Sequence, residues 1–307
     1  MKKVDCYLCG SSKSEVLFKQ QGFDSYLAKV FDTPPEVNLN WVICTDCSFV
    51  YRSPALDKME LVTLYEKYEQ DIFSNTTPDD YFDKIISLPN DESENWQKVE
   101  WLSGVIEKRN SNNGKMSVLD IGCGGGTLLH TIREQIPLGG IFGVELNSAY
   151  ADLAKRKLNA DVINKEYASG LFGQRFDLLV NTKVLEHVPD PLPFLKEMAN
   201  DLDEGGLLFL EVPDVSDMYN LPPSHERFYI PHIYFFSVNT LGALLEKVGF
   251  SVVEKRVVKT TRDRSYLQIL AEKKNTIVSG LISTIPYDNV SELQNKVKLN
   301  MVQYENG

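Results

Sequence analysis

Four cysteines fall into two pairs of the same spacing, Cys6-x-x-Cys9 and Cys44-x-x-Cys47. Each pair can hold one metal ion across a tight turn, and the two pairs together make a tetrahedral site of four thiolates, which suits zinc. Four thiolates leave no open coordination position, so the pattern predicts a structural zinc ion. The alternatives are four buried free thiols or a redox pair, and neither pair opens a helix after a strand as a redox pair would.

A glycine-rich stretch, VLDIGCGGGTLL at residues 118–129, carries a second chemical pattern. Gly122 and Gly124 follow an apolar strand directly, so the backbone there can approach a ligand, and the next helix offers free N–H groups. The dinucleotide fingerprint G-x-G-x-x-G fails at its sixth position, which Thr127 occupies. Asp120, two residues before the first glycine, would repel a pyrophosphate and would suit a ligand that carries an ammonium group.

A second carboxylate, Glu145, ends the next strand in GVELN. A carboxylate at this position, beside the first strand, can accept both hydroxyl groups of a ribose. An ammonium group and a ribose without a pyrophosphate describe S-adenosylmethionine, so the two acids predict a site for that cofactor. The alternative is a phosphate or nucleotide fold in which the two acids are incidental.

The elements that must position these residues alternate along the chain from residue 116. Short apolar strands (MSVLDIG, GIFGVEL, DVIN, FDLLVNT, GLLFLEVPD) are separated by amphipathic helices such as SAYADLAKRKL and PLPFLKEMANDL. This alternation predicts an α/β fold with a parallel sheet that is covered on both faces. GFSVVEKRVV and SYLQILAEKK close the pattern as a hairpin.

Composition limits the classes of function. A chain of 307 residues can bury one good core and a small appendage, and it contains no apolar run of about 20 residues, so we expect no membrane partner. The start, MKKVDCYLCG, has no apolar stretch of the kind found in signal peptides, which predicts a cytoplasmic protein with reduced cysteines. A net charge of −11 argues against nucleic acid as the main partner.

Four motifs in sequence order resemble the class I S-adenosylmethionine-dependent methyltransferases: DIGCGGG, the acid in GVELN, FDLLVNTKVLEHVPDP and DEGGLLFLEVPD. The resemblance covers roughly residues 95–275 and implies a seven-stranded, doubly wound, Rossmann-like sheet whose last strand is antiparallel. It also implies that Leu146 packs on the adenine, that Asn181 lies near the sulfonium, and that Glu166 or Tyr167 meets the adenine edge. The cofactor-binding set is then Asp120, Gly122, Cys123, Gly124, Glu145, Leu146 and Asn181.

The front of the chain is similar to bacterial methyltransferases of sugar and surface-polysaccharide biosynthesis, through the four-cysteine module, CTDCSFVYRSP and a helix that ends in LYEKY. It also resembles sugar C-methyltransferases, which carry Tyr-x-Glu-His before Tyr-Phe-Ser. This chain reads YIPH at 229–232, so Pro231 replaces the glutamate, and either the large C-terminal domain of that group is missing or the chain stops at its first helix, near residues 289–304. Because removing a proton from carbon asks more of a base than removing one from a hydroxyl, we expect O-methylation.

His232 is the candidate base among four histidines. It lies on the insertion after the fifth strand that covers the substrate pocket in this fold, and a neutral imidazole can accept a hydroxyl proton. The alternative is a packing residue among aromatic neighbours. We expect Tyr229 to hold the acceptor beside it. Glu186 and His187 are interpreted as ordering the loop after the fourth strand, and His187 is the second candidate for the base.

Other side chains receive supporting assignments. Arg227 could meet a phosphate of a nucleotide-activated sugar, and Tyr65, Tyr68 or Tyr81 could form a lid from the preceding helices. His130, in the helix after the glycine loop, is interpreted as structural.

These observations predict four segments: a zinc-binding module at residues 1–60, a helical linker or lid at 61–112, a methyltransferase domain at 113–275 and a C-terminal helical tail at 276–307. The predicted activity is O-methylation of a small molecule, a sugar or a nucleotide-activated sugar, with S-adenosylmethionine as cofactor and zinc in a structural role. The alternatives are a sugar C-methyltransferase, a nucleic-acid or protein methyltransferase that grips its target with the zinc module, or a non-catalytic scaffold.

Overall fold

The computed structural model of the chain describes residues 3–20, 39–56, 59–61, 63–64, 77–109, 114–260, 262–274 and 288–305. The strands are β1 (Ser14–Gln20), β2 (Leu39–Cys44), β3 (Val50–Ser53), β4 (Met116–Ile121), β5 (Leu138–Val144), β6 (Asp161–Ile163), β7 (Phe176–Thr182), β8 (Leu202–Pro213), β9 (Tyr234–Phe235), β10 (Phe250–Lys259) and β11 (Ser265–Lys273). The helices are α1 (Pro78–Ile86), α2 (Glu94–Lys108), α3 (Thr127–Gln135), α4 (Ser148–Leu158), α5 (Pro191–Asp201), α6 (Asp217–Asn220), α7 (Val238–Lys247) and α8 (Val290–Glu305), with short 3₁₀ turns at Leu185–His187 and Glu226–Phe228.

A seven-stranded sheet in the order β10-β11-β8-β7-β4-β5-β6 forms the centre of the fold. Its first five strands in sequence, β4 to β8, pair in parallel, and β11 enters antiparallel between β8 and β10. This confirms the predicted Rossmann-like sheet and its closing hairpin. The order reverses at β4, which lies between β5 and β7, and ligands bind beyond the carboxyl ends of the strands at such a point.

Alternate residues of the central strands enter two separate cores, which is why these strands are apolar throughout. Leu119 of β4 and Leu179 of β7 belong to one core, with α5 and α7, whereas Val118 and Val180 belong to the other, with α2, α3 and α4. Successive side chains of a strand point to opposite faces, so both faces of the sheet are covered by helices, as the sequence predicts.

A second, four-stranded antiparallel sheet has the order β1-β2-β3-β9. Its first three strands come from the N-terminal segment, but β9 comes from the segment that follows β8, and it pairs through Val50 with Phe235 and Tyr51 with Tyr234. Trp41, Phe228 and Phe235 pack together at this junction, and α8 covers the same core. The N-terminal module is therefore joined to the rest of the protein by a shared sheet.

No helix in the described part of the chain is long and apolar enough to cross a bilayer.

Candidate functional site

The glycine loop turns sharply after β4 and brings its backbone to the carboxyl edge of the sheet. Gly122 adopts a φ of +80°, and a Cβ atom there would lie 2.4 Å from a methyl group of Val184. Gly124 has a φ of +53° and open space where a Cβ atom would stand. Only glycine fits the first position for steric reasons, while the second leaves bare backbone facing open space, which a ligand can approach.

Two buried acceptor oxygens at this edge have no hydrogen-bond partner within the described residues. Asp120 is 2% exposed and Asn181 is fully buried; the Oδ1 atom of each is unpaired. The Asn181 amide donates to the Ile121 carbonyl over 2.9 Å, which fixes its oxygen in place. Burial raises the pKa of Asp120 to about 7, against the opposing effect of Lys98. Buried polar atoms are normally paired, so this pair of acceptors fits a ligand that supplies donors, such as the ammonium group of S-adenosylmethionine.

Glu145 directly follows β5, beside β4, and its carboxylate has two backbone partners. One oxygen accepts from the Gly124 N–H and the other from the Asn147 N–H, both over 2.8 Å. Each oxygen keeps a further lone pair, so the carboxylate can still accept a ribose hydroxyl. Leu146, which follows it, is 56% exposed although it is apolar.

The remaining cofactor candidates have other contacts. Cys123 packs its buried side chain against Gly143 of β5, which leaves only its backbone near the loop's outer surface. Tyr167 donates a hydrogen bond to Asp201 over 2.9 Å. Asn164 donates to the carbonyls of both Glu145 and Leu146 and orders the turn after β5, a contact that the sequence did not suggest.

The four cysteines come together in the N-terminal module. Their sulfur atoms all lie within 4.8 Å of one another, with Cys6 and Cys47 separated by 3.4 Å and Cys9 and Cys44 by 3.5 Å. In each pair, the backbone carbonyl of the first cysteine accepts a hydrogen bond from the backbone N–H of the residue four positions later, which closes the predicted turn. Four tetrahedral thiolates at zinc distance lie about 3.8 Å apart, so the donor set fits zinc after a small expansion.

His232 is held rigidly by its own segment. Its Nδ1 atom lies 2.6 Å from the Arg227 carbonyl oxygen, and because a carbonyl only accepts, Nδ1 carries the proton and Nε2 the lone pair. Its backbone N–H donates to the Tyr229 carbonyl, which places the half-buried Tyr229 in the same turn. Burial lowers the pKa of His232 well below its usual value, helped by His187, Arg227 and Arg52. The imidazole is therefore neutral, as a proton acceptor must be.

His187 and Glu186 reach the same place from the loop after β7. The rings of His187 and His232 are 5.0 Å apart between centroids, and His187 donates through Nδ1 to the Pro231 carbonyl over 2.8 Å. Glu186 is 1% exposed, and its Oε1 atom lies 3.9 Å from the His187 Nε2 atom. The loop-ordering interpretation holds for the Glu186 backbone, whose carbonyl accepts from Ile233, but the side chains also meet the candidate base.

Arg227 does not face an acceptor. It is 3% exposed, and its guanidinium donates to Asp217, to the Tyr266 hydroxyl and to the Ser265 carbonyl, each over 2.9 Å. All three nitrogens have protein partners, so the expectation that Arg227 meets a phosphate is wrong. Its buried contacts instead anchor the segment that carries His232.

A residue that the sequence did not single out, Arg52 of β3, holds the His232 segment from the other side. It is 1% exposed and donates to the carbonyls of His232 and Phe228 and to the Gln20 side chain, while its backbone N–H donates to Ile233. Arg52 and His232 are 180 positions apart, so no local sequence pattern indicates their contact and only the folded structure reveals it.

The lid tyrosines remain predictions. Tyr81 lies on α1 and is 43% exposed, whereas Tyr65 and Tyr68 lie outside the described residues.

Comparison with known proteins decides the family. A sequence model of the methyltransferase domain matches residues 95–255, more than half of the chain. The chain belongs to this methyltransferase family. It is an S-adenosylmethionine-dependent methyltransferase, and the matched region holds the glycine loop, both acids, Asn181 and His232, while the four cysteines lie outside it.

Individual relatives match over shorter stretches. The ubiquinone biosynthesis O-methyltransferase of Coxiella burnetii is 34% identical over 110 residues, which are 34% of this chain and 46% of that protein. The tRNA U34 carboxymethyltransferase of Campylobacter jejuni is 28% identical over 177 residues, which are 53% of this chain and 60% of that protein. The chain thus spans about half the length of the curated relatives it matches.

Similar solved structures are distant in sequence. The plantazolicin methyltransferase BpumL is 16% identical with a TM-score of 0.48, over 64% of this chain and 89% of that one. The N-methyltransferase NodS of Bradyrhizobium japonicum is 13% identical with a TM-score of 0.46, over 64% of this chain and 98% of that one.

Proposed function

We propose that this methyltransferase transfers a methyl group to a hydroxyl of a small polyhydroxylated molecule, a sugar or the sugar unit of a nucleotide sugar, and that the part of the acceptor at His232 is uncharged. The observation that carries the proposal is the neutral, rigidly held imidazole of His232 on the insertion that covers the carboxyl edge of the sheet. A base of this kind serves a hydroxyl, whose proton leaves as the new bond forms.

The surroundings of His232 support a neutral acceptor. Glu186 and His187 offer further acceptor atoms beside it, and these suit hydroxyl donors. Arg227 is occupied by Asp217, so at this point of the pocket it gives no cation to a phosphate or carboxylate. The net charge of −11 also disfavours a polyanionic target.

The chain's residues divide the work between binding and proton removal. S-adenosylmethionine supplies, when bound, an electrophilic methyl group on a positively charged sulfur. Asp120 and the bare backbone of the glycine loop would hold its amino-acid end, and Glu145 its ribose. His232 accepts the hydroxyl proton at Nε2, and the ring of Phe235 packs at a right angle to it. Tyr229, in the same turn, orients the acceptor.

We propose a structural role for the cysteine module, with Cys6, Cys9, Cys44 and Cys47 holding one zinc ion. The close approach of the four sulfur atoms and the turn at each pair support this. A closed set of four thiolates supplies no reaction step; it would order the strands that carry Arg52.

The test is a mass-spectrometric screen of purified protein with S-adenosylmethionine against free sugars, nucleotide sugars and catechols, with bulk tRNA as a separate arm. We expect one class of hydroxylated small molecule to gain one methylene mass, and the Asp120→Asn variant to lose this product. A methylated tRNA, with binding that weakens steeply as salt rises, would replace the small-molecule proposal by a nucleic-acid one. Methylation on carbon in the product would favour the C-methyltransferase alternative.

A further inference from the structure

Three proton-accepting groups converge at the end of the loop after β7. One ring nitrogen of His187, one of His232 and one carboxylate oxygen of Glu186 all lie within 4.8 Å of one another. Both rings donate through Nδ1 to backbone carbonyls, of Pro231 and of Arg227, so in the neutral form of each ring the lone pair is at Nε2. Converging lone pairs repel unless a proton or a donor lies between them.

Glu186 is the unusual member of this cluster. It is 1% exposed, and its Oε2 atom has no hydrogen-bond partner within the described residues. A buried carboxylate oxygen without a partner is costly, and natural structures rarely keep one without a use. Its position beside the two imidazoles gives it a use, because an ionised carboxylate stabilises an imidazolium that forms next to it.

We propose that Glu186, His187 and His232 act as a single proton-accepting unit, in which Glu186 stabilises the proton that the His232 imidazole takes from the acceptor and His187 shares it. The inference rests on the proposed function and assigns catalytic work to two side chains beyond His232. No single residue of the unit then has to hold the proton alone.

The chemistry balances within the unit. The acceptor O–H bond breaks and its electron pair stays on oxygen, which forms the new bond to the methyl carbon. The pair of the broken carbon–sulfur bond remains on sulfur. Starting from an ionised Glu186 and two neutral imidazoles, the proton passes to Nε2 of His232, so the unit changes from one negative charge to none. Neutralising a charge in a buried site is less costly than creating one.

Charged groups on every side of the unit affect this balance. Arg52 of β3 and Arg227 face His232 and disfavour its protonated form, while Arg227, Lys183 and His187 face Glu186. Burial raises the pKa of Glu186 and lowers that of His232, so burial alone disfavours the charged form of each. Each charge stabilises the other when both are present.

The four histidines make the unit accessible to nuclear magnetic resonance. We would record imidazole nitrogen spectra of ¹⁵N-histidine-labelled protein with saturating S-adenosylhomocysteine over a pH series. The probe needs no acceptor, so the result does not depend on the outcome of the acceptor screen. His130 and His225, outside the unit, serve as internal controls, and Glu186→Gln keeps the side-chain shape while removing the charge.

We expect both unit histidines to be protonated at Nδ1 and to respond to the Glu186→Gln change, with the His232 titration moving to lower pH by about one unit or more, the size of shift caused by a charge within about 4–6 Å. In the His187→Asn variant, whose amide can still donate to Pro231, the His232 titration should also move, while His130 and His225 stay unchanged. With the acceptor found in the screen, Glu186→Gln should lower kcat about tenfold or more at unchanged S-adenosylmethionine affinity.

Unchanged His232 titration in a Glu186→Gln protein that still binds S-adenosylhomocysteine would overturn the proposal. So would a second stoichiometric metal ion that disappears in the His232→Asn variant, because the cluster would then be a cation site. A coupled titration together with an empty acceptor screen supports the unit and contradicts the proposed function instead.

Discussion

Replacing Asp120 by Asn should weaken cofactor binding in this methyltransferase and, at neutral and higher pH, raise the stability of the fold. Burial raises the pKa of Asp120 from 3.8 to about 7. Without a ligand, the carboxyl is about one-tenth ionised at about pH 6 and about nine-tenths ionised at about pH 8. A cofactor ammonium group requires the ionised form, so the affinity for S-adenosylhomocysteine should rise about tenfold across this range, with release of a proton on binding at the lower pH.

The same shift predicts a stability effect of opposite direction. The folded state binds the proton more tightly than the unfolded state, so the free energy of unfolding falls as pH rises from about 4 to about 7. A shift from 3.8 to about 7 lowers the free energy of unfolding by about 4 kcal/mol once the carboxylate is fully ionised. The favourable interaction of the carboxylate with Lys98 is already included in this shift. Asp120→Asn removes this term, so the variant should gain stability over the wild type as pH rises through this window.

Two measurements check the reasoning. Denaturant unfolding of both proteins at about pH 5 and about pH 8 gives the stability difference, in which titrations shared by the two proteins cancel. Calorimetry with S-adenosylhomocysteine, in two buffers of different ionisation enthalpy, gives affinity and proton release. The reasoning is refuted if Asp120→Asn is no more stable at the higher pH, or if wild-type affinity is constant across the range.

Three further predictions concern the base and the module that holds it. His232→Ala should lower kcat about 10²- to 10⁴-fold while S-adenosylmethionine affinity stays nearly unchanged; His130→Ala is the control, and a loss of thermal stability with normal turnover would instead identify a packing residue. Arg52→Met should lower kcat without changing cofactor affinity, and Arg52→Lys should restore part of it; equal losses in the two variants would count against a positioning role. Cys44→Ser should lose about one bound metal per chain by elemental analysis, whereas Cys123→Ser should keep it, and metal-free wild type of full stability would contradict the assignment.

The geometry at the carboxyl edge of β4 could be predicted from sequence because the residues that determine it are close together in the chain. Asp120, Gly122 and Gly124 are consecutive or nearly so, and one strand-to-helix turn sets their geometry. Glu145 is fixed by the end of the neighbouring strand, whose parallel pairing follows from the alternation of elements. The same holds for the two cysteine pairs, in which the spacing alone closes each turn.

The buried contacts of Lys98 and Arg227 could not be predicted in this way, because each joins segments that are distant in the sequence. Lys98 is a polar residue on a helix that reads as amphipathic, yet it is 4% exposed and pairs with Glu211 over 2.8 Å. A residue on the polar face of a helix is expected to be exposed to solvent. Lys98 is buried instead because it pairs with a residue more than a hundred positions away. Arg227 was misassigned for the same reason, since Asp217 and Tyr266 lie on elements whose approach depends on the whole fold.

Strand β9, which pairs with β3, connects the N-terminal module directly to the segment that carries His232. β3 begins three residues after Cys47, pairs with β9 through Tyr51 and Tyr234, and carries Arg52, whose guanidinium reaches the carbonyl of His232 itself. A change at the four thiolates would therefore act on the strand that holds the segment of His232, the candidate base, while the glycine loop after β4 belongs to the other sheet. Loss of the metal should for this reason reduce turnover much more than cofactor affinity.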